Sequence, residues 1–459
     1  MTNPYQAADG VQVRSGGWRS PCLAIGLVVI VLASGCGSGS TAKRSSGDDA
    51  VGPTLVSIGR SDSAATEITV ESWQFLTKSA WTEGVLPAFA ATNPGFKVKY
   101  LPTKSIDYDV NVPENLESGV PSDIVACRPF DWSLGLFSRN LITDVTSVVD
   151  RDTMSPIGID AFSTDDGATT FCIPMASVLH GTYYNKTLFK ELGLAIPTTV
   201  DEFVAELSKI AQDGRYTPIA AGAAEAGEIA TTLVSVFGPV YWNGEKGRNA
   251  IIDGTAKFTD PEYVDALRLL DRLRPFYPPA VADFEYVDMK RLFTNGEAVF
   301  FPGGSWEITT MTADAKFEIG LLPPLRLSAD GPCFITDHPD IGIGVSARST
   351  HPKEARAFAE WAATPALYDG YSSKLEGFFP LMSGAKESSN ALMREFAKYR
   401  EECQRTPRFP DQYLSRSTPV FRTELWRLST EVVVGHVTPE QAAVELQAVL
   451  DATYTPVRR

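Results

Sequence analysis

The groups in this chain with the most evident chemistry are aromatic rings set beside acids, amides and guanidiniums. They are Trp73-Gln74, the run Arg128-Pro129-Phe130-Asp131-Trp132, Tyr241-Trp242-Asn243-Gly244, Gly303-Gly304-Ser305-Trp306, and Phe378 next to Gly377. An aromatic face gives apolar contact while the polar neighbours hold hydrogen bonds at its edge, so such sets suit the recognition of a solute. Asp131 is the most telling acid, because a carboxylate between Phe130 and Trp132 suits neither a core nor an ordinary surface. Trp306 follows residues small enough to let a ring approach its indole. Trp73 reads equally well as a core residue, since buried Trp is common at strand ends.

The signatures of catalysis are missing. There is no GxGxxG, no GxxxxGK(S/T), no HExxH and no CxxC, and Gly303-Gly304-Ser305-Trp306-Glu307 lacks the final glycine of a nucleophile elbow. The histidines His180, His338, His351 and His436 are not paired at ligand spacing. The expectation is a protein without catalytic residues, metal or cofactor. A hidden glycosidase pair stays open as an alternative, because any acidic chain supplies many carboxylate pairs by chance.

The elements that must carry these residues show in the patterning. Ile68 to Trp73 and Phe96 to Tyr100 alternate apolar and polar, and Ile124-Val125-Ala126 is a short apolar run. Trp81, Val85, Leu86 and Phe89 mark a helix face between the first two strands. That spacing predicts βαβ units with parallel strands, in which a ligand meets the loops beyond the strands' carboxyl ends, beginning at Gln74, Pro102 and Arg128. Helices are expected around Phe203 to Ile210, Tyr263 to Leu273 and Pro352 to Ala363, and strands over 317–321 and 341–345. Thr438-Pro439-Glu440 caps a last helix in a mostly helical C-terminal third. The fold class is α/β.

With 459 residues the chain is long enough for two or three domains. Lys plus Arg is 41 against Asp plus Glu 56, a net charge of −15, which disfavours nucleic acid and anionic lipid as partners. At the N-terminus, Arg14 and Arg19 precede an apolar run from Cys22 to Ala33 and the small residues Ala33-Ser34-Gly35 before Cys36. Such a run reaches about 18 Å as a helix, short of a hydrocarbon core of roughly 30 Å, so it reads as an export signal. Cys127, Cys172, Cys333 and Cys403 remain beyond it; they form two disulfides in one of three pairings, or some stay as buried thiols.

A family resemblance rests on a series of short matches in order. They are the strand ending in Trp73, Leu86-Pro87-Ala88-Phe89, Asn93-Pro94-Gly95-Phe96-Lys97-Val98, Ser118-Gly119-Val120-Pro121-Ser122-Asp123-Ile124-Val125 and Ile173-Pro174. Then come Tyr183-Tyr184-Asn185-Lys186-Thr187-Leu188-Phe189, Pro197-Thr198-Thr199-Val200-Asp201-Glu202-Phe203, Phe293-Thr294-Asn295-Gly296-Glu297-Ala298-Val299, Gly304-Ser305-Trp306 and Phe379-Pro380. The chain resembles the extracellular solute-binding proteins of carbohydrate ABC importers, similar in plan to maltose-binding proteins. Thr170-Phe171-Cys172 departs from a Gly-Tyr-Gly-like run usual in that family.

The resemblance implies a two-lobe periplasmic-binding-protein-like fold with a hinge and an interlobe ligand cleft. On that plan residues 1–35 are a signal peptide and 36–66 hold a lipidated Cys36 and a flexible linker. The N-lobe comprises 67–177 plus 338–366, and the C-lobe 178–337 plus 367–459. The chain would cross near Val178, Asp337 and Ala366. The implied ligand is a sugar, a di- or oligosaccharide, whose ring offers C–H bonds on its face and hydroxyls at its edge. Substrate-binding candidates are Trp73, Gln74, Arg128, Phe130 and Asp131 from one lobe, with Tyr241, Trp242, Gly304, Trp306 and Phe378 from the other. Trp306 aligns with a stacking Trp of the family. The implied partners are the permease's transmembrane subunits and, through the lipid, the outer face of the cell membrane, the protein being a monomer. Other polar solutes, such as a glycerophosphodiester or a polyamine, are the alternatives, and a secreted carbohydrate-active enzyme is a further one.

Overall fold

The computed structural model describes residues 56–59, 66–73, 78–103, 105–120, 122–225, 227–386 and 388–457, so the export segment, Cys36 and Gln74 lie outside the described residues. The strands are β1 (Val56–Gly59), β2 (Thr66–Trp73), β3 (Phe96–Thr103), β4 (Ile124–Cys127), β5 (Ile173–Asn185), β6 (Thr217–Ile219), β7 (Ala298–Gly304), β8 (Ile319–Leu321), β9 (Phe334–Val345), β10 (Phe379–Pro380) and β11 (Gln404–Thr406). They join in the order β1-β3-β2-β4-β9-β5-β7-β6, with β8 and β10 added to β5 and β11 to β9.

The alternation in β2 buries Ile68 and Val70 on one face, and the helical segments Ala80–Val85 and Leu86–Thr92 cover them with Trp81, Val85, Leu86 and Phe89. Each of those large side chains contributes roughly 1.5–3 kcal/mol by leaving water. β2 pairs in parallel with β3 on one side and β4 on the other. The strand order therefore reverses at β2, and the crevice beyond its last residue, Trp73, is the place where such sheets bind ligands. Buried Glu71 ties these strands together, accepting hydrogen bonds from Thr103 Oγ1 at 2.9 Å and Ser122 Oγ at 2.6 Å.

Two long strands carry the chain between its halves. β5 and β9 are antiparallel, with Val178 opposite His338 and Leu179 opposite Asp337. Residues of β5 up to Val178 and of β9 from Ile341 belong to one apolar core. Leu179 and Tyr183 belong to a second cluster with Ile335, while Phe334 joins the large core built on Phe203, Leu270 and Leu446. The result is two α/β lobes on a shared, curled sheet. The third crossing falls later than Ala366, because Leu367, Tyr368, Tyr371, Leu375 and Leu381 pack into the first core and Leu392 is the first later helical residue to leave it.

Local chemistry sets the helix ends. Asn185 caps the helix Lys186–Leu192, and Thr199 with Glu202 and Thr438 with Gln441 form reciprocal capping boxes on Val200–Asp213 and Pro439–Thr453. The strand expected from Phe317 starts at Ile319, because the Phe317 ring packs edge-on against Phe293 at 5.5 Å before the strand begins. The cysteines form two disulfides, Cys127–Cys172 joining β4 to the head of β5, and Cys333–Cys403 joining the approaches to β9 and β11.

Candidate functional site

β7 ends at Gly304, and the turn Ser305–Glu307 leads into the helix Ile308–Asp314. The Trp306 indole folds back over this turn so closely that a Cβ on Gly304 would lie 1.8 Å from it; only glycine leaves that space. Ser305 Oγ accepts from the Leu179 N–H at 3.0 Å and donates to the Gly377 carbonyl, tying the turn to β5 and to a second loop. Gly377, at φ 104°, has no room for a side chain, since its Cβ would sit 2.0 Å from the Ser305 carbonyl oxygen.

The indole is held at its far edge as well. Burial, with Glu307 beside it, pushes the Tyr286 hydroxyl well above its ordinary value, so it keeps its proton. It donates that proton to Glu307 Oε1 at 2.7 Å and accepts from Trp306 Nε1 at 2.9 Å. Glu307, fully buried, also accepts from Thr310 at 2.6 Å and faces Lys290 at 3.5 Å. Trp306, Tyr286, Met289, Thr231 and Trp426 are among the residues around a cavity of about 170 Å³.

Arg408 and His180 face this indole, and other arginines, histidines and aspartates are linked to them by charge. Arg128 lies 4.0 Å over the Trp73 ring and pairs with Asp109 at 3.0 Å. Arg422 lies 3.7 Å from Asp109 and 3.8 Å from Asp411, and His338 Nε2 lies 3.6 Å from Asp411. Arg408 sits 5.6 Å over Trp306 and shares a hydrogen bond of 3.1 Å with His180 Nε2. Burial, aided by Arg128 and Arg422, lowers Arg408 below its ordinary value against the pull of Asp411 and Asp340. Asp340, on β9, is raised by burial while Arg128 and Arg408 pull it down. No hydrogen bond satisfies its carboxylate among the described residues, and Arg408 Nε is likewise buried without one. An open donor thus lies near the Trp306 ring, with an open acceptor near that arginine. Among the described residues no group of three or more His, Cys, Asp or Glu is placed to hold a metal ion.

The two histidines carry a testable consequence. Burial first, then Arg408, holds both His180 and His338 well below the ordinary histidine value of 6.5. They stay neutral in the fold but take up protons in the unfolded chain, so stability is complete above 6.5 and falls as the pH drops below it. The expected loss is up to about 1.4 kcal/mol per pH unit for each histidine. Melting curves of the wild type and of His180→Gln/His338→Gln are expected to diverge on acidification to about pH 5, the variant losing less. Parallel curves would contradict the assignment.

The sequence candidates fare unevenly. Trp306 lines the cavity with Gly304 beneath its ring, while Trp73, only 4% exposed, presents its ring to Arg128 and to Tyr108. Gln74 lies outside the described residues. Phe130 is a core residue. Asp131 is spent on the protein itself: it accepts from Tyr413 N–H at 2.9 Å, Ser415 N–H at 3.2 Å and Arg416 Nε at 2.6 Å. Arg416 also forks onto Asp165, so this acid ties the first lobe to a segment anchored in the second core by Phe409 and Leu414. Trp242 is buried, stacked on Tyr263 at 6.3 Å, and Tyr241 borders the same core near the surface pair Arg272–Asp201. Phe378 is packed edge-on against Tyr371 at 5.1 Å in the first core.

Sequence reading missed Tyr286, Glu307, Asp340 and Arg408. Two signals were there: an acid directly after Trp306, and the polar stretch Thr336-Asp337-His338-Pro339-Asp340 in the middle of a strand with apolar ends.

Comparison with known proteins gives the same picture. Residues 74–368 match the family model of the bacterial extracellular solute-binding proteins. A multiple sugar-binding protein of Streptococcus mutans is 28% identical over 50% of this chain and 55% of its own length. The chain thus spans about half of that relative. An uncharacterized ABC transporter extracellular-binding protein of Pyrococcus horikoshii is 25% identical over 74% of this chain and 76% of its own. Among solved structures, a chitin oligosaccharide binding protein superposes with a TM-score of 0.73 at 20% identity, covering 84% of this chain and 98% of that one.

Proposed function

Because the chain belongs to the bacterial extracellular solute-binding proteins, we propose that it captures a di- or oligosaccharide between its lobes and delivers it, unaltered, to the permease of an ABC importer. The observation that carries this reading is the pinned Trp306 indole with the open Nε of Arg408 near its ring and the open carboxylate of Asp340 near that arginine. A sugar ring stacks its C–H face on the indole, gives a hydroxyl hydrogen to Asp340 and accepts one from Arg408. The sugar-binding names of the Streptococcus mutans relative and of the chitin oligosaccharide neighbour support the same class.

Charge balance favours an uncharged ligand over the other solutes. Arg128, Arg408 and Arg422 are matched by Asp109, Asp340 and Asp411, and His180 and His338 are held neutral. A phosphodiester would find no surplus of positive charge, and a polyamine would meet three guanidiniums. An uncharged polyhydroxylated ligand loses nothing to either. Closure around it follows because only a ligand touching both lobes favours the closed state. The lipid tether at Cys36, the export signal before it and a monomeric receptor on the outer membrane face complete the reading.

Calorimetric titration against a sugar panel, with chromatography of the mixtures, tests it. Binding without new products is expected, and Asp340→Asn is expected to weaken the tightest sugar about tenfold through a hydroxyl left unpaired. Turnover, or no binding by any sugar, would refute it.

A further inference from the structure

We propose that Trp426 is the second aromatic wall of this site, and that the two indoles select a pyranose whose ring hydroxyls are all equatorial, the gluco configuration. The inference rests on the carbohydrate reading above and deepens it. Trp426 lies in the helix Phe421–Val434 and remains partly exposed. It lines the same cavity of about 170 Å³ as Trp306. That space is below the roughly 300–1,000 Å³ of a drug-sized site and suits one ring, which would meet both indoles.

Each indole carries its own guanidinium. Arg422, one helical turn before Trp426 and hence on the same face, lies 5.2 Å from that ring, as Arg408 lies 5.6 Å from Trp306. The Nε atoms of both arginines are buried without a hydrogen-bond partner. Met289 and Pro302 add apolar lining beside the indoles. Apolar surface on the walls, with these arginines just outside the lining, fits a ring whose polar groups all project outward. An axial hydroxyl at C2 or C4 would instead point toward an indole, losing its bonds to water with nothing in exchange.

Calorimetry with cellobiose and gentiobiose, whose β linkages are equatorial as well, set against galacto- and manno-configured disaccharides of the same linkages, reads the selection in the wild-type protein. The gluco-configured sugars are expected to bind at least about tenfold more tightly than their epimers. Trp426→Ala is expected to cost about tenfold in affinity, and Trp426→Tyr, which keeps an aromatic wall, no more than about threefold. Equal or tighter binding of the epimers, or a Trp426→Ala protein that binds like the wild type while Trp306→Ala does not, overturns the proposal and leaves the carbohydrate reading intact. Failure of every sugar to bind the wild type overturns both.

Discussion

Trp306→Ala is expected to weaken binding of the tightest sugar about fiftyfold, some 2–3 kcal/mol, while the far-ultraviolet spectrum and melting temperature stay close to those of the wild type. The size follows from what holds the ring. Its edge is hydrogen-bonded to Tyr286, which is locked in turn to the buried Glu307, and its face folds over Gly304. The indole is therefore fixed before the ligand arrives, and binding spends little entropy on ordering it. The modest effect on folding follows from its partial exposure at the edge of the first core. Affinity unchanged by the substitution would remove Trp306 from the site.

The second large effect concerns the disulfides. Cys127–Cys172 closes a span of 45 residues and Cys333–Cys403 one of 70. Each removes unfolded-state entropy worth about 4 kcal/mol on the chain-entropy account. Both lie within single lobes, and Cys127 immediately precedes Arg128, so the first bond also steadies the wall that Arg128 gives the crevice. Replacing either pair by serine is expected to lower the denaturant midpoint markedly, and losing the first is expected to weaken sugar binding as well. A midpoint unmoved by both replacements would contradict the pairing.

The first-lobe strands were legible because each faces a core on one side, so the alternation of Ile68 and Val70 with polar residues survives in the sequence. The turn that carries Trp306 was legible for a similar reason: two glycines before an indole mark a turn that only small residues allow. Asp131 was misread because its partners are far away in the chain. The N–H that satisfies it lies 282 residues on, and nothing near Phe130 or Trp132 announces the segment that reaches it. Trp242 shows the converse error. The turn after it exists, with Asn243 and Gly244 at positive φ, but the indole points into the core against Tyr263 and Phe409. Asp340 and Arg408 could not be paired from sequence, since they meet only when β9 and the segment after β11 come together. Tertiary contact assigns these polar groups, whereas local pattern assigns the elements that carry them.

The central claim is that two lobes close on a carbohydrate held between them. Small-angle scattering of the protein alone and saturated with its tightest sugar tests this most directly. The account predicts a smaller radius of gyration with the sugar, with the change absent in Trp306→Ala at the same sugar concentration. Superimposable profiles at saturation would contradict it.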